Sequence, residues 1–155
     1  MTLCKFRIRV VLYAAIPAIL VVLGRGPRLY AQGRHGVSLS STNRNLPFSD
    51  GIVAGHTLYI AGEQGTDAHG KLEVGISAQT RAALGIIRRI ALKAGFSMDE
   101  VVSVNVYLSD VHDFAAMNKV YTTFFRNPKP ARTTIQAAAL VNGAKVEISA
   151  IAVRE

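Results

Sequence analysis

Two charged residues in the last third of the chain are the candidates for chemistry. Arg132 lies in Pro130-Ala-Arg-Thr-Thr-Ile135, which runs from a proline turn straight into a β-type pattern. Glu147 follows fifteen residues later, inside the apolar run Lys145-Val-Glu-Ile-Ser-Ala-Ile-Ala-Val153. A guanidinium donates two parallel hydrogen bonds to a planar anion, and a positioned carboxyl group can orient water or move a proton. Each residue also has a plainer reading. A carboxylate in an apolar strand is either a position on the wet face of a sheet or a held acid, and a single arginine is commonly a surface or ion-pair residue.

Other constellations are missing. No Gly-x-Gly-x-x-Gly opens a helix, and there is neither a P-loop nor a Gly-x-Ser-x-Gly elbow. His35, His56, His69 and His112 never fall at i, i+4, so no zinc-binding helix is encoded. The single cysteine, Cys4, excludes an intrachain disulfide framework.

The net charge of +8 suggests an anionic partner until it is divided along the chain. Residues 1–31 hold Lys5, Arg7, Arg9, Arg25 and Arg28 and no acid, which leaves +3 for the rest. That balance, without a basic run interleaved with aromatics, predicts no nucleic-acid binding by the folded part. Lys5, Arg7 and Arg9 followed by the uncharged stretch from Val10 to Gly24 read as an N-terminal signal peptide with Ala31 as cleavage position. An exported or periplasmic domain is expected. The alternative is an uncleaved leader acting as a membrane anchor.

Residues 32–45 (QGRHGVSLSSTNRN) are rich in Gly, Ser and Asn and read as a flexible linker or arm. The globular pattern covers 46–155. Gly51 to Ala61 reads as two short strands around a turn at Ala54-Gly55-His56. Ser77 to Ala94 reads as a helix: Leu84, Ile87 and Ala91 recur at i, i+3, i+7, and Gly95 is a natural stop. Gly85 weakens its middle unless another backbone packs closely there. Ser97-Met-Asp-Glu100 fits a capping box. Val102 to Leu108 alternates as a half-buried strand. Asp113 is expected to cap a second helix with Phe114, Met117, Val120, Tyr121 and Phe124 on its apolar side. Two last strands, Thr133 to Ala138 and Lys145 to Val153, complete the order ββαβαββ: an α+β domain with both helices on one face of a sheet.

In this order the residues resemble the RidA (YjgF) family of enamine/imine deaminases. The resemblance spans about 46–154. It rests on Pro130-Ala-Arg-Thr-Thr-Ile135, Val146-Glu-Ile148, Ala150-Ile-Ala-Val153, Leu58 to Gly62 before Gln64, Leu108-Ser-Asp110, and Phe114-Ala-Ala-Met-Asn118 through Tyr121 to Phe125. It implies a chorismate-mutase-like subunit with a mixed β-sheet, forming a homotrimer with sites between subunits. The implied activity is hydrolysis of 2-enamine/2-imine acids to 2-keto acids and ammonia, with no metal or organic cofactor. By the same resemblance Arg132 binds the substrate carboxylate, Glu147 orients the attacking water, and Phe48, Gly62, Asn118 and Thr134 line the pocket. Three positions depart from the common pattern: Phe48 where Tyr is frequent, Glu63 beside the Gly-Gln pair, and Thr134 where many members have Cys. They leave open a second reading, a small-carboxylate-binding module on the same fold.

Overall fold

The computed structural model describes residues 33–39 and 46–155. The leader of residues 1–31 and its expected cleavage lie outside the described residues. Six strands form one sheet: β1 (Arg34–Val37), β2 (Gly51–Ala54), β3 (Thr57–Gln64), β4 (Val101–Leu108), β5 (Ala131–Gln136) and β6 (Val146–Val153). Their spatial order is β1-β2-β3-β6-β4-β5. The last strand in the sequence is therefore central. β6 runs antiparallel to both β3 and β4, while β5 joins β4 in parallel at the edge. The sheet is mixed, as expected.

Strict alternation drives this arrangement. Val146, Ile148, Ala150 and Ala152 of β6 are buried, and the intervening residues face the other way. Val104, Val106 and Leu108 of β4 and Leu58 and Ile60 of β3 share the buried face. Two helices cover that face: α1 (Ile76–Lys93) and α2 (Phe114–Tyr121). α1 packs on β3, β6 and α2, burying Ala83, Leu84, Ile87, Ile90 and Ala91 in a core cluster shared with the sheet. At about 25 cal/mol per Å² of apolar area, this burial is the main favourable term of the fold.

The ends of α1 follow the sequence signals. Gly95 adopts φ 79°, its N–H donates to the Leu92 carbonyl, and the Phe96 N–H donates to the Ala91 carbonyl. This is a Schellman stop, which requires the left-handed residue that glycine supplies. The Ser97–Glu100 capping box forms with both arms.

Two expectations fail. Arg34–Val37, assigned by composition to the flexible arm, pairs as β1 with β2, because a neighbouring strand edge supplies hydrogen bonds that local composition does not reveal. Asp113 precedes α2 but makes no side-chain cap. Its carboxylate accepts from Lys145 Nζ at 3.1 Å, and Asp110 instead accepts from the His112 N–H in the short 3₁₀ turn before the helix.

Gln79 of α1 is buried and ties three segments together. Its side-chain N–H donates to the Glu73 carbonyl, and its Oε1 accepts from the Lys145 N–H, each at 2.8 Å. Gly65 lies directly against its backbone, so a Cβ at residue 65 would collide with Gln79 main-chain atoms. Nothing lies within 4 Å of a Cβ built at Gly85. The two glycines therefore predict opposite outcomes in denaturant unfolding. Gly85→Ala stabilises by about 0.5–1 kcal/mol through helix propensity, and Gly65→Ala destabilises by at least about 2 kcal/mol because backbone must move. Equal effects of the two substitutions would contradict this packing.

Candidate active site: two half-sites on opposite faces

Arg132 is paired in register with Val104. It therefore points to the helix-covered face, where the edge position of β5 leaves it half-buried. α2 supplies its surroundings. Arg132 Nη1 donates to Asn118 Oδ1 at 2.7 Å, which aims the guanidinium. The Tyr121 ring centroid lies 4.5 Å from the guanidinium carbon and that of Phe114 5.6 Å. Two aromatic faces thus attract and position the cation. Asn118 and Tyr121 are three residues apart on α2, so helical geometry brings both to Arg132. Among the described residues Arg132 has no acidic partner within salt-bridge distance. Thr134, two residues further on the same face, has a buried hydroxyl without a hydrogen-bond partner among the described residues, and so does Tyr121.

Glu147 stands on the other face. It alternates with buried Val146 and Ile148 and pairs with Tyr107 of β4 and Gln64 of β3. Its carboxylate lies over Gly62, whose missing side chain leaves the space: a Cβ there would come within 3.0 Å of the Glu147 carboxyl carbon. Gln64 Nε2 donates to Glu147 Oε2 at 3.1 Å and to the Val141 carbonyl at 2.9 Å. The acid is thus held by a neutral donor on a central strand. The exposed-face reading of Glu147 describes its side of the sheet, and the held-acid reading describes its contacts.

The structure brings the expected residues together in two groups. Arg132, Asn118 and Thr134 form one, and Glu147 with Gly62 forms the other. Phe48 belongs to neither: it precedes β2 and is 59% exposed. Glu63 is in register with Ile148, on the helix-covered side, so it does not share Glu147's face. Sequence reasoning assigned Phe114 and Tyr121 to the helix's apolar side and missed their contact with Arg132. It also gave no role to Gln64, since only the β3–β6 register places it against Glu147. Among the described residues no group of three or more metal-ligating side chains occurs.

The described fold is thus α+β, with an aromatic-flanked arginine on one sheet face and a held glutamate on the other. A family model described as Endoribonuclease L-PSP matches residues 40–154. The chain is 42% identical over 111 residues to the RutC family protein PH0854 of Pyrococcus horikoshii, covering 70% of this chain and 88% of that protein. It is 41% identical over 110 residues to a 2-iminobutanoate/2-iminopropanoate deaminase of Capra hircus, covering 70% and 80%. RidA from an Antarctic Psychrobacter superposes with a TM-score of 0.69 at 37% identity, over 72% of this chain and 91% of that one. Escherichia coli TdcF with bound serine does so with a TM-score of 0.69 at 29% identity, over 72% and 91%. The chain belongs to the RidA (YjgF) family, whose members include imine deaminases.

Burial raises the Tyr121 phenol above its ordinary value, and the Arg132 charge pulls it partly back. The folded state therefore favours the neutral phenol. The unfolded chain releases this proton first, so Tyr121's contribution to stability is complete below about pH 10 and is lost as pH rises through the folded-state value. Tyr121→Phe keeps the ring over Arg132 and removes an unpartnered buried hydroxyl. Its stability at pH 7 should equal or exceed wild type, and its loss between pH 9 and 11 should be shallower (ranges of about one unit). Thermal denaturation across that range is the measurement; a steeper loss in Tyr121→Phe would contradict the assignment.

Proposed function

We propose that this protein hydrolyses small 2-imino and 2-enamine carboxylic acids to 2-keto acids and ammonia. The observation that carries the reading is Arg132: a guanidinium aimed by Asn118, flanked by two aromatic rings and without an acidic partner among the described residues. Such a group suits a planar carboxylate, which accepts two parallel hydrogen bonds from it. The relatives named as imine deaminases, and TdcF with its bound serine, support a small carboxylate as ligand.

Arg132 binds the substrate carboxylate and fixes the adjacent imine carbon. An enamine first takes a proton at its β carbon to become the imine. Glu147, steadied by Gln64, accepts a proton from water as the water oxygen bonds to the imine carbon. Glu147 passes that proton to the nitrogen, giving a neutral carbinolamine. Glu147 then carries the hydroxyl proton to the same nitrogen, the C–N bond breaks as the carbonyl forms, and ammonia leaves. One water is consumed and one ammonia released, with no change of oxidation state.

Arg132 and Glu147 face opposite sides of one sheet, so one copy of the chain cannot present both to one substrate. The site is accordingly composed from two copies, arranged as a homotrimer with three equivalent clefts. Tyr59, Ile135 and Val153, exposed on Glu147's side of the sheet, suit burial against a neighbour.

The test traps residual imine with semicarbazide after an amino-acid oxidase has generated 2-iminobutanoate. Wild type should clear the imine. Arg132→Ala and Glu147→Gln should each lose about 100-fold or more in kcat/KM. Co-refolding the two inactive variants in equal amounts should restore about a quarter of the wild-type sites, since each cleft draws one residue from each of two copies. Wild-type clearance no faster than buffer would end the deaminase reading, and no recovery on mixing would end the shared-site reading. Phe48, which brings no hydroxyl, favours the carboxylate-binding module as the second reading; calorimetric binding of 2-oxobutanoate without imine clearance would establish it.

A further inference from the structure

One cavity lies apart from both half-sites. It has a volume of about 790 Å³ and opens on the outer side of the helix layer, between α1 and the segment after α2. Arg81, Arg88 and Leu92 of α1 line one wall, and Phe124 and Arg126 lie across from them, with Met98 also lining the cavity. The volume falls within the range of small-molecule sites.

Its electrostatics are one-sided. α1 contains Arg81, Arg88, Arg89 and Lys93 and no acidic residue over its 18 positions. All four are exposed. Arg81 and Arg88 are seven residues apart, two helical turns, so both project from one side with about 10 Å between their backbones. Neither has a salt bridge to a described residue. The single lining acid, Asp99, lies 3.7 Å from Arg126, with both side chains largely exposed, and such a contact contributes little. Three guanidiniums thus border a groove with one carboxylate in it. Apolar surface accompanies the charge: Leu92 is 62% exposed although it lies in a helix that buries its other large aliphatic side chains, and Phe124 is partly buried beside the core.

We infer that this groove is a second binding site, for an organic anion with an apolar body. Arg81 and Arg88 take the anionic group, while Leu92, Met98 and Phe124 cover the hydrocarbon. A guanidinium pair suits a phosphate or carboxylate head, and the apolar lining disfavours a bare inorganic ion. None of the lining residues is Arg132, Asn118, Gly62 or Glu147, so occupancy is independent of the imine site.

Octyl phosphate below its micellar concentration is the probe, titrated calorimetrically into the full-length chain. It should bind with an affinity that falls by about tenfold or more in Arg81→Ala/Arg88→Ala and declines with added salt. Octanol and inorganic phosphate should each bind more weakly than octyl phosphate by a similar factor. Both substituted positions are exposed, so the double variant should retain the wild-type melting temperature and imine clearance. Unchanged affinity in the double variant overturns the site, as does equal binding of octanol or of inorganic phosphate. The same head group could be presented by lipid. Co-sedimentation with phosphatidylglycerol vesicles but no binding of monomeric octyl phosphate would replace the groove with a membrane-facing surface and overturn the inference.

Discussion

The two-residue period of a β-strand is the constraint on which the chemistry of this protein depends. Val104 fixes Arg132 to the helix-covered face through the β4–β5 register. Val146 and Ile148 fix Glu147 to the opposite face, because both of its neighbours are fully buried. A one-residue slip in either strand would reverse a whole row of side chains and expose the core. The separation of the two charged groups is therefore as firmly set as the core itself. A carboxylate and a guanidinium on opposite faces cannot neutralise each other within one chain, so the guanidinium has no acidic partner among the described residues.

Each half-site is steadied by different physics. Glu147 sits on the central strand, with β3 on one side and β4 on the other, and its support is a neutral amide from Gln64 and the bare backbone of Gly62. A neutral donor orients a carboxylate without setting a compensating positive charge beside it, which a lysine or arginine partner would do. Arg132 sits on the edge strand, where the sheet offers support on one side alone. α2 compensates with the Asn118 amide oxygen, which accepts a hydrogen bond from Arg132, and with two ring faces. These contacts remove rotamer freedom before any ligand arrives, which lowers the ordering cost of binding.

Much of this was legible in the sequence where signals are local. The α1 periodicity, the Gly95 stop and the Ser97–Glu100 box each depend on residues within a few positions of one another, and each formed as read. The misreadings depend on partners distant in the chain. β1 exists because the β2 edge is there to pair with, and Asp113 gives up its capping role to Lys145, 32 residues away. The contact of Gln64 with Glu147 spans 83 residues. Glu147 could be read from alternation as facing away from the core, yet alternation alone does not say whether that face meets solvent or a held contact. The family resemblance named the residues of the site, but only the register divides them into two groups.

The pattern of unsatisfied groups gives the division its direction. The helix-side half carries an arginine without an acidic partner and two buried hydroxyls, Tyr121 and Thr134, without hydrogen bonds to described atoms. Buried polar groups left unpaired each cost on the order of 1–3 kcal/mol. The glutamate half shows the opposite economy: Gln64 bonds at once to the acid and to the Val141 carbonyl. Unmet hydrogen-bonding capacity thus gathers around Arg132, on a segment held by α2 rather than by two flanking strands. At the arginine half hydrogen-bonding capacity is left over among the described atoms, whereas at the glutamate half the acid already has its donor. The chain holds the glutamate with a neutral amide, and it leaves the arginine, bonded to Asn118, without an acid among the described residues.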